Sequence, residues 1–315
     1  MNVVDANAAA KAVGAQLIAL DDERYPPLLR AIHDPPALLY VRGDPDYLHQ
    51  PQLAMVGSRN PTAGGRDKAL DFASELSRQG MTITSGMASG IDSCAHLGAL
   101  NAGGFTVAVT GTGLDRVYPA SSRQLAARIR QQGVLVSEFL PGTGAKRSHF
   151  PSRNRIISGL SLGVLVIEAG LNSGTLITAR MAGEQGRDVF ALPGSIHNPM
   201  SKGCHRLIRD GARLVENVLQ IMEELVPLAG QLAGELKNQM QQPEQGRLEI
   251  PAEQPQLEQD PEYDLLWSCL GFDPKPADSI IEQSGLTARA VSAMLLMLEL
   301  RGLVEAHPGG AWSRK

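Results

Sequence analysis

The stretch LAMVGSRN at residues 53–60 sets a pattern that the middle of the chain repeats: a short apolar run, a turn with glycine, and a segment of helical length. The predicted strands are Leu53–Val56, Thr82–Thr84, Thr106–Val109, Val134–Val136, Gly163–Ile167, Val189–Leu192 and Arg213–Val215. Strands separated by helices imply βαβ units and a parallel sheet covered on both faces. The sequence therefore predicts an α/β fold, an extended Rossmann-like doubly wound sheet. A closed barrel is disfavoured because the helical lengths are uneven and an eighth unit is missing.

Three further segments flank this Rossmann-like domain, which we place at residues 51–226. Residues 1–50 alternate prolines with short extended pieces, and we expect an N-terminal lead-in that packs on the first strand of the central domain. Residues 227–262 are acidic and rich in Gln and Pro, a composition typical of a linker. Residues 263–315 predict three helices followed by a small β-hairpin, which is the pattern of a winged helix-turn-helix.

The winged-helix module carries few of the cations that a DNA reader needs. Its third predicted helix, Ala288–Arg301, offers only Arg289 and Arg301, and the module holds 5 basic and 6 acidic residues. Because phosphate contacts dominate DNA affinity, this composition favours a protein-contact or regulatory role over duplex reading.

Composition excludes several classes of protein. The chain of 315 residues has no apolar run near the ~18–20 residues of a membrane span, and its start lacks the pattern of a secretory signal. Its three cysteines, Cys94, Cys204 and Cys269, are isolated, which excludes a disulfide framework and a Cys-rich zinc site. We expect a cytoplasmic protein without membrane contact, since such cysteines fit a reducing compartment.

Charge is distributed unevenly along the chain, whose formal net charge is −4. Residues 51–226 contain 18 Lys and Arg against 13 Asp and Glu, whereas the other three segments are each net negative. This surplus favours the central block as the binding region for a polyanionic ligand. The alternative is a solvated surface with scattered charge, and the surplus alone does not decide between the two.

Glycine-rich loops follow four of the predicted strands, where the carboxyl ends of parallel strands share one edge of the sheet. They are Gly57-Ser58-Arg59, the segment from Gly86 to Gly90, residues 110–113, and residues 168–175. Glycine lets the backbone approach a ligand, and helix N-termini favour anions, so the pattern predicts an anion-binding groove. Neither a phosphate-binding P-loop nor a GxGxxG dinucleotide fingerprint is present. Arg59 offers a bidentate fork to phosphate; the alternative is an arginine paired with a neighbouring carboxylate.

The densest basic stretch is KRSHFPSRNR at residues 146–155. It places Phe150 among Lys146, Arg147, Arg153 and Arg155 in a chain with only 4% aromatic residues. Cations that follow a backbone and an aromatic platform for a base are the components of single-strand binding. The alternative is that Phe150 packs in the core where the next helix starts.

A catalytic or metal site is not supported by spacing. His96, His149, His197 and His205 lack the separations of metal ligands, and no serine has an evident paired base. Asp92 is explained by first-turn charge, and His96, four residues on, could pair with it across one turn. We expect no catalytic residues, no metal and no cofactor.

Taken together, these segments resemble the DNA-processing protein A family, also called Smf. The resemblance covers about residues 20–226, and the C-terminal module resembles the winged helix of the same family. It rests on YPPLL (25–29), DPP (34–36), GSR (57–59), SGMASGID (85–92), FPSRNRIISGLS (150–161), SGTLITA (173–179), GRDVFALPG (186–194) and LIRDGA (207–212).

The resemblance implies a non-enzymatic, cytoplasmic homodimer that binds single-stranded DNA, protects incoming DNA in natural transformation and promotes loading of the RecA recombinase. Carried onto this sequence, the DNA groove would involve Gly57, Ser58, Arg59, Gly86, Gly90, Lys146, Phe150, Arg153 and Arg155.

Two other functions remain open at this point. Glu168 with Gly174-Thr175 is similar to part of the site of Rossmann-like enzymes that act on nucleotide monophosphates, the phosphoribohydrolases, although their Pro-Gly-Gly-x-Gly-Thr loop is absent. A transcription regulator would require specific duplex binding by residues 263–315.

Overall fold

The computed structural model describes residues 3–225, 261–271, 274–300, 303–307 and 311–314. The chain divides into two compact units, residues 1–243 and 244–315. The predicted linker at 227–262 lies almost wholly outside the described residues, so its character stays a prediction.

The first unit is built on one sheet of nine strands. They are β1 (Gln16–Ala19), β2 (Leu38–Gly43), β3 (Gln52–Val56), β4 (Thr82–Gly86), β5 (Thr106–Val109), β6 (Gly133–Ser137), β7 (Gly163–Val166), β8 (Asp188–Ala191) and β9 (Arg213–Leu214). All seven strands predicted from the apolar runs are present, with ends that differ by at most two residues. The predicted α/β, Rossmann-like fold class is confirmed.

The sheet order is β1-β2-β6-β5-β4-β3-β7-β8-β9, and the pairs from β6 through β9 are parallel. The chain runs outward from β3 to β6 and then returns to place β7 beside β3 on the other side. This reversal is a topological switch point, where the loops after β3 and β7 diverge and leave a crevice at their carboxyl ends.

Helices cover both faces of this sheet. They are α1 (Val3–Ala12), α2 (Pro27–Arg30), α3 (Ala63–Arg78), α4 (Ile91–Asn101), α5 (Arg123–Gln131), α6 (His149–Leu160), α7 (Thr175–Glu184), α8 (Lys202–Arg209) and α9, described over 218–225. On β3, Leu53 and Met55 pack in the cluster that includes α3 and α4, whereas Ala54 and Val56 pack in the cluster that includes α6 and α7. Successive side chains of a strand point to opposite faces, so a continuous apolar run is the composition that a doubly covered strand requires.

The lead-in packs on the central domain and also adds two strands to its sheet. Tyr25 and Leu29 share a core cluster with Ala54 and Val56 of β3. β2 pairs antiparallel with β6, and β1 pairs antiparallel with β2. Tyr40 lies opposite Ser137, and Gly43 lies opposite Val134. The backbone N–H and C=O groups of β2 pair with those at the edge of β6, which would otherwise have no strand partner there. The lead-in therefore extends the sheet.

The second unit has the predicted order of three helices and a hairpin. Its elements are α10 (Pro261–Cys269), β10 (Lys275–Pro276), α11 (Ala277–Ser284), α12 (Ala288–Leu300), β11 (Val304–His307) and β12 (Ala311–Arg314). Leu266, Ile280, Val291 and Leu295 pack together in its small core. Gly285 ends α11 in the left-handed conformation that glycine adopts without strain. Among the described parts of both units, no helix has the length and apolar character needed to cross a membrane.

Candidate nucleic-acid interface

An open cleft of about 820 Å³ lies at the switch point between β3 and β7. We call it the switch-point cleft. Its walls come from the loop after β3, the loop after β7 and the first turns of α6. Of the nine predicted site residues, the structure brings five to its lining: Gly57, Ser58, Arg59, Phe150 and Arg153.

The Gly57-Ser58-Arg59 loop is held in place by its own backbone. The Ser58 N–H donates to the Glu168 carbonyl at 2.7 Å, and the Thr175 hydroxyl donates to the Gly57 carbonyl at 3.0 Å. A Cβ on Gly57 would come within 2.6 Å of the Ile91 side chain, so only glycine lets α4 approach this closely. The loop is therefore a fixed platform from which Arg59 projects.

Gly90 and Gly86 serve this architecture without lining the cleft. Gly90 has φ of +85°, and a Cβ there would collide with the backbone carbonyl of Ser58. A Cβ on Gly86 would collide with the guanidinium of Arg153. Both predicted glycines thus allow close packing behind the cleft. The sequence alone does not tell a glycine that is needed for packing from one that is needed for ligand contact.

Arg59 and Phe150 meet at the cleft. The Arg59 guanidinium carbon lies 5.5 Å from the centroid of the Phe150 ring, within the range of a cation–π contact. Arg59 is exposed, and within the part of the chain that the structure describes no carboxylate forms an ion pair with it. Phe150 is half-buried and belongs to none of the core clusters. The alternatives of a paired arginine and a core phenylalanine are therefore disfavoured.

The first turn of α6 sets the direction of Phe150. The preceding residue, His149, stacks on Phe139 with ring centroids 4.1 Å apart, and its Nδ1 lies 3.1 Å from the Gly111 carbonyl oxygen. Gly111 lies directly beneath Phe150, because a Cβ there would lie 3.3 Å from the ring. These contacts fix the helix start, so the ring is presented to the cleft by a rigid element.

Arg153 differs from the open cation that the sequence suggested. It is only 5% exposed, donates to the Val109 carbonyl at 3.2 Å and lies 3.9 Å from the Asp92 carboxylate. Burial lowers the pKa of Arg153, and the Asp92 carboxylate opposes that change. Burial likewise raises the pKa of Asp92, and Arg153 opposes it. The pair forms the floor of the cleft, and its opposite charges compensate each other.

Arg155 lies outside the lining of the cleft and is already paired. Its guanidinium donates to Glu138 at 2.7 and 3.1 Å and to Asp34 at 3.1 Å, and its side chain is 16% exposed. Two residues along an α-helix correspond to about 200° of rotation, so Arg155 faces away from Arg153. Arg155 therefore connects α6 to Asp34 of the lead-in and to Glu138 just after β6, and its predicted DNA contact stays a prediction.

Two neighbouring cations of the basic stretch differ in whether they line the cleft. Lys146 is exposed in the turn before α6 and does not line the cleft, whereas Arg147 is exposed and does. The sequence interpretation also passed over Tyr118, which lines the cleft from the loop before α5. The sequence feature that could have identified Tyr118 is an aromatic residue in a loop at the carboxyl edge of the sheet.

Glu168, the residue on which an enzymatic alternative rests, is used structurally. Its carboxylate accepts hydrogen bonds from the Thr62 N–H at 2.9 Å and the Thr62 hydroxyl at 2.7 Å, and from the Asn198 amide at 3.4 Å. Thr62 is the N-cap of α3, so the carboxylate stabilises the positive end of that helix. Glu168 is buried and does not line the cleft.

The predicted pairing of His96 with Asp92 is wrong. The His96 Nε2 lies 2.7 Å from the Gly86 carbonyl oxygen, and its Nδ1 lies 2.6 Å from the Thr106 hydroxyl. A carbonyl can only accept, so Nε2 carries the proton. Burial lowers the pKa of His96 to about 4, and burial raises the pKa of Cys204 to about 11, which leaves a neutral imidazole and a protonated thiol. In the described residues, no three His, Cys, Asp or Glu side chains are grouped to hold a metal ion.

The fold and the cleft define a class: a doubly wound α/β protein with a cation and an aromatic ring at its switch point, joined to a winged-helix domain. The family described as DNA recombination-mediator protein A matches residues 16–226, and the DprA winged helix domain matches residues 250–310. The chain belongs to this family, as the sequence resemblance predicted.

Named relatives support the same assignment. Protein Smf of Escherichia coli is 44% identical over 295 residues, which span 93% of this chain and 76% of that protein. DNA processing protein DprA of Streptococcus pneumoniae is 45% identical over 203 residues, which span 64% of this chain and 72% of that protein.

Two solved structures are similar to the chain. The X-ray structure of DNA processing protein A from Streptococcus pneumoniae has a TM-score of 0.65 at 44% identity, covering 67% of this chain and 74% of that one. The protein from Helicobacter pylori, whose structural study concerns its single-stranded DNA binding mode, has a TM-score of 0.62 at 29% identity. That match covers 68% of this chain and 98% of the other.

Proposed function

We propose that this protein binds single-stranded DNA in the switch-point cleft, and that in natural transformation it protects incoming DNA and promotes loading of the RecA recombinase. The observation that carries the proposal is the exposed Arg59 guanidinium above the Phe150 ring. A cation for the phosphate and an aromatic plane for a base are the two parts that sequence-tolerant single-strand binding combines. The described binding of single-stranded DNA by the Helicobacter pylori relative supports the same reading.

Electrostatics at the cleft favour a polyanion. Arg59 and Arg147 are exposed at the lining, while Asp92, the one carboxylate that the described residues place there, is buried against Arg153. The accessible charge of the cleft is therefore positive even though the whole chain is net negative. A strand that enters would release counterions, so its affinity falls as salt rises.

The loop after β7 offers a second set of donors. Asn172, Ser173 and Gly174 line the cleft as Arg59 does, and the Ser173 hydroxyl accepts from the Thr175 N–H at 3.2 Å at the start of α7. Short polar side chains beside a helix N-terminus suit a phosphate or a sugar. The two walls can thus contact successive parts of one flexible strand.

We further propose that the protein is not an enzyme. The carboxylate that the phosphoribohydrolase alternative requires, Glu168, is engaged by Thr62 and is not accessible from the cleft. Incubation with nucleoside monophosphates should release no base; turnover that is lost in Glu168→Gln would support the enzyme instead.

The homodimer is also a proposal. Large apolar side chains are exposed after β8, on β9 and on α9, at Ile196, Leu214 and Leu219. β9 is an edge strand of only two residues, and exposed apolar groups beside an edge are a common site of self-association. Light scattering should give the mass of a dimer for the wild type, and Leu214→Glu with Leu219→Glu should reduce it. A monomeric wild type would contradict this part.

Recombinase loading has its own test, and it presumes a cytoplasmic site of action. RecA should form filaments faster on strands covered by single-strand-binding protein when this protein is present, measured as a shorter lag in RecA ATP hydrolysis. An unchanged lag would contradict recombinase loading and leave the proposal of DNA binding in place.

The experiment for DNA binding compares single-stranded and duplex DNA of equal length across a salt series, by mobility shift. Single strands should bind more tightly, because exposed bases can stack and a single strand bends into a narrow cleft. Equal affinity at every salt concentration would contradict the proposal.

A further inference from the structure

Tyr118 is an aromatic residue at the cleft that the fold does not explain. It lies in the loop between β5 and α5, and it is 52% exposed. Its neighbour Val117 packs against the core, whereas Tyr118 belongs to no core cluster. About half of its surface is therefore open to a ligand that enters the cleft.

The ring of Tyr118 extends the aromatic surface of Phe150. The two ring centroids are 5.5 Å apart, and their planes meet at 45°. Phe150 itself is already contacted from two directions, by Gly111 and by the Arg59 guanidinium. Tyr118 is therefore the more accessible of the two rings.

Tyr118 also borders two adjoining spaces. It lines the switch-point cleft and a neighbouring small pocket of about 90 Å³, together with Arg59 and Phe150. The remaining wall of the small pocket includes Met87 and Pro119, which are apolar. A planar, partly apolar group that leaves the Arg59–Phe150 pair would therefore meet Tyr118 next.

We propose that Tyr118 is a second base-stacking platform, which holds the nucleobase adjacent to the one at the Arg59–Phe150 pair. The inference rests on the proposed single-strand binding. It adds Tyr118 to the binding residues and a second nucleobase to the bound groups. Every base has a flat π-face, so this contact is tolerant of sequence and requires the base, not the phosphate.

The test uses two ligands of equal charge and length: an oligothymidylate, and an abasic oligomer with the same phosphates. Tyr118→Ala should bind the oligothymidylate roughly five- to 140-fold more weakly, the range for loss of one stacked base. Its affinity for the abasic oligomer should equal that of the wild type. Tyr118→Phe keeps the ring and should bind both ligands as the wild type does.

The matched control is Phe105→Ala. Phe105 is 39% exposed and stacks on Tyr47 just before β5, at the opposite edge of the sheet from the cleft. This variant loses an exposed ring of similar size and should leave both affinities unchanged. An equal loss in the control would show that ring removal acts through the fold, and would overturn the inference.

A spectroscopic readout covers the case in which Tyr118→Ala does not fold. In Tyr118→Trp, the oligothymidylate should quench tryptophan fluorescence more than in the wild type, and the abasic oligomer should not. Unchanged affinity in Tyr118→Ala, equal losses for both ligands, or no base-dependent quenching would each overturn the role of Tyr118. If the wild type binds neither oligomer, the proposed function itself fails, which is a distinguishable result.

Discussion

The guanidinium of Arg59 lies over the ring of Phe150, with 5.5 Å between the Arg59 Cζ and the ring centroid. The two residues come from different elements, Arg59 from the loop after β3 and Phe150 from the first turn of α6. Their contact joins a phosphate-binding charge and a base-binding plane into one unit. The two contributions are separable, because a cation changes counterion release and a neutral ring does not.

Removing the charge should change the salt dependence of binding. Arg59→Ala is expected to weaken single-strand binding for all sequences alike and to lower the slope of log K against log salt by about one unit. Fluorescence anisotropy across a salt series measures both quantities. Arg78→Ala removes an exposed cation from the far end of α3 and should leave the slope unchanged. A slope that Arg59→Ala does not alter would show that phosphate binds elsewhere.

Removing the ring should change affinity without changing the slope. Phe150→Ala is expected to lose about 1–3 kcal/mol of binding free energy, the range for one stacked base. The melting temperature is measured in parallel, because Phe150 lies in the first turn of α6 and packs over Gly111. A large fall in melting temperature with full single-strand affinity would identify Phe150 as a packing residue.

Arg155 should behave as a structural residue despite its place in the basic stretch. Arg155→Ala leaves Glu138 without its partner, and we expect the free energy of unfolding to fall by roughly 1.5–3 kcal/mol, the range for hydrogen bonds to charged groups. Adding Glu138→Gln should then cost less than it does in the wild type, as in a double-mutant cycle. A normal stability with a reduced salt slope would restore Arg155 to the DNA site.

Stability should fall in mild acid because of His96. Burial lowers its pKa from 6.5 to about 4, so between these values the unfolded chain binds a proton that the folded protein does not. Stability from this group is complete above pH 6.5, declines as pH falls, and is reduced by about 3 kcal/mol near pH 4. Urea unfolding at several pH values should show a flatter profile for His96→Gln. Parallel profiles for variant and wild type would contradict the assignment.

The central parallel strands β3 to β7 were predictable because they are buried on both faces, which favours short β-type apolar runs such as residues 53–56. Strands β1 and β2 were missed because prolines interrupt residues 1–50, and the partner of β2 lies far along the chain at 133–137. No local pattern specifies that pairing.

The contacts of the candidate site likewise include some that the sequence could predict and some that it could not. Arg59 and Phe150 could be brought together because the carboxyl ends of parallel strands share an edge. The pairing of Arg155 could not be foreseen, since it depends on the helical phase of α6 and on Asp34 in the lead-in. Likewise, Glu168 was read as a loop carboxylate because its partner Thr62 is distant in sequence.

Photocrosslinking tests the central claim, that single-stranded DNA lies in the switch-point cleft, most directly. An oligonucleotide that carries 5-iodouracil is irradiated with the full-length protein, and the attached residues are identified by mass spectrometry. The account predicts crosslinks at Phe150 and at neighbouring residues of the cleft lining, reduced by unlabelled single strand and not by equal duplex. Crosslinks confined to the winged-helix unit, or to the edge of the sheet that carries Phe105, would contradict it.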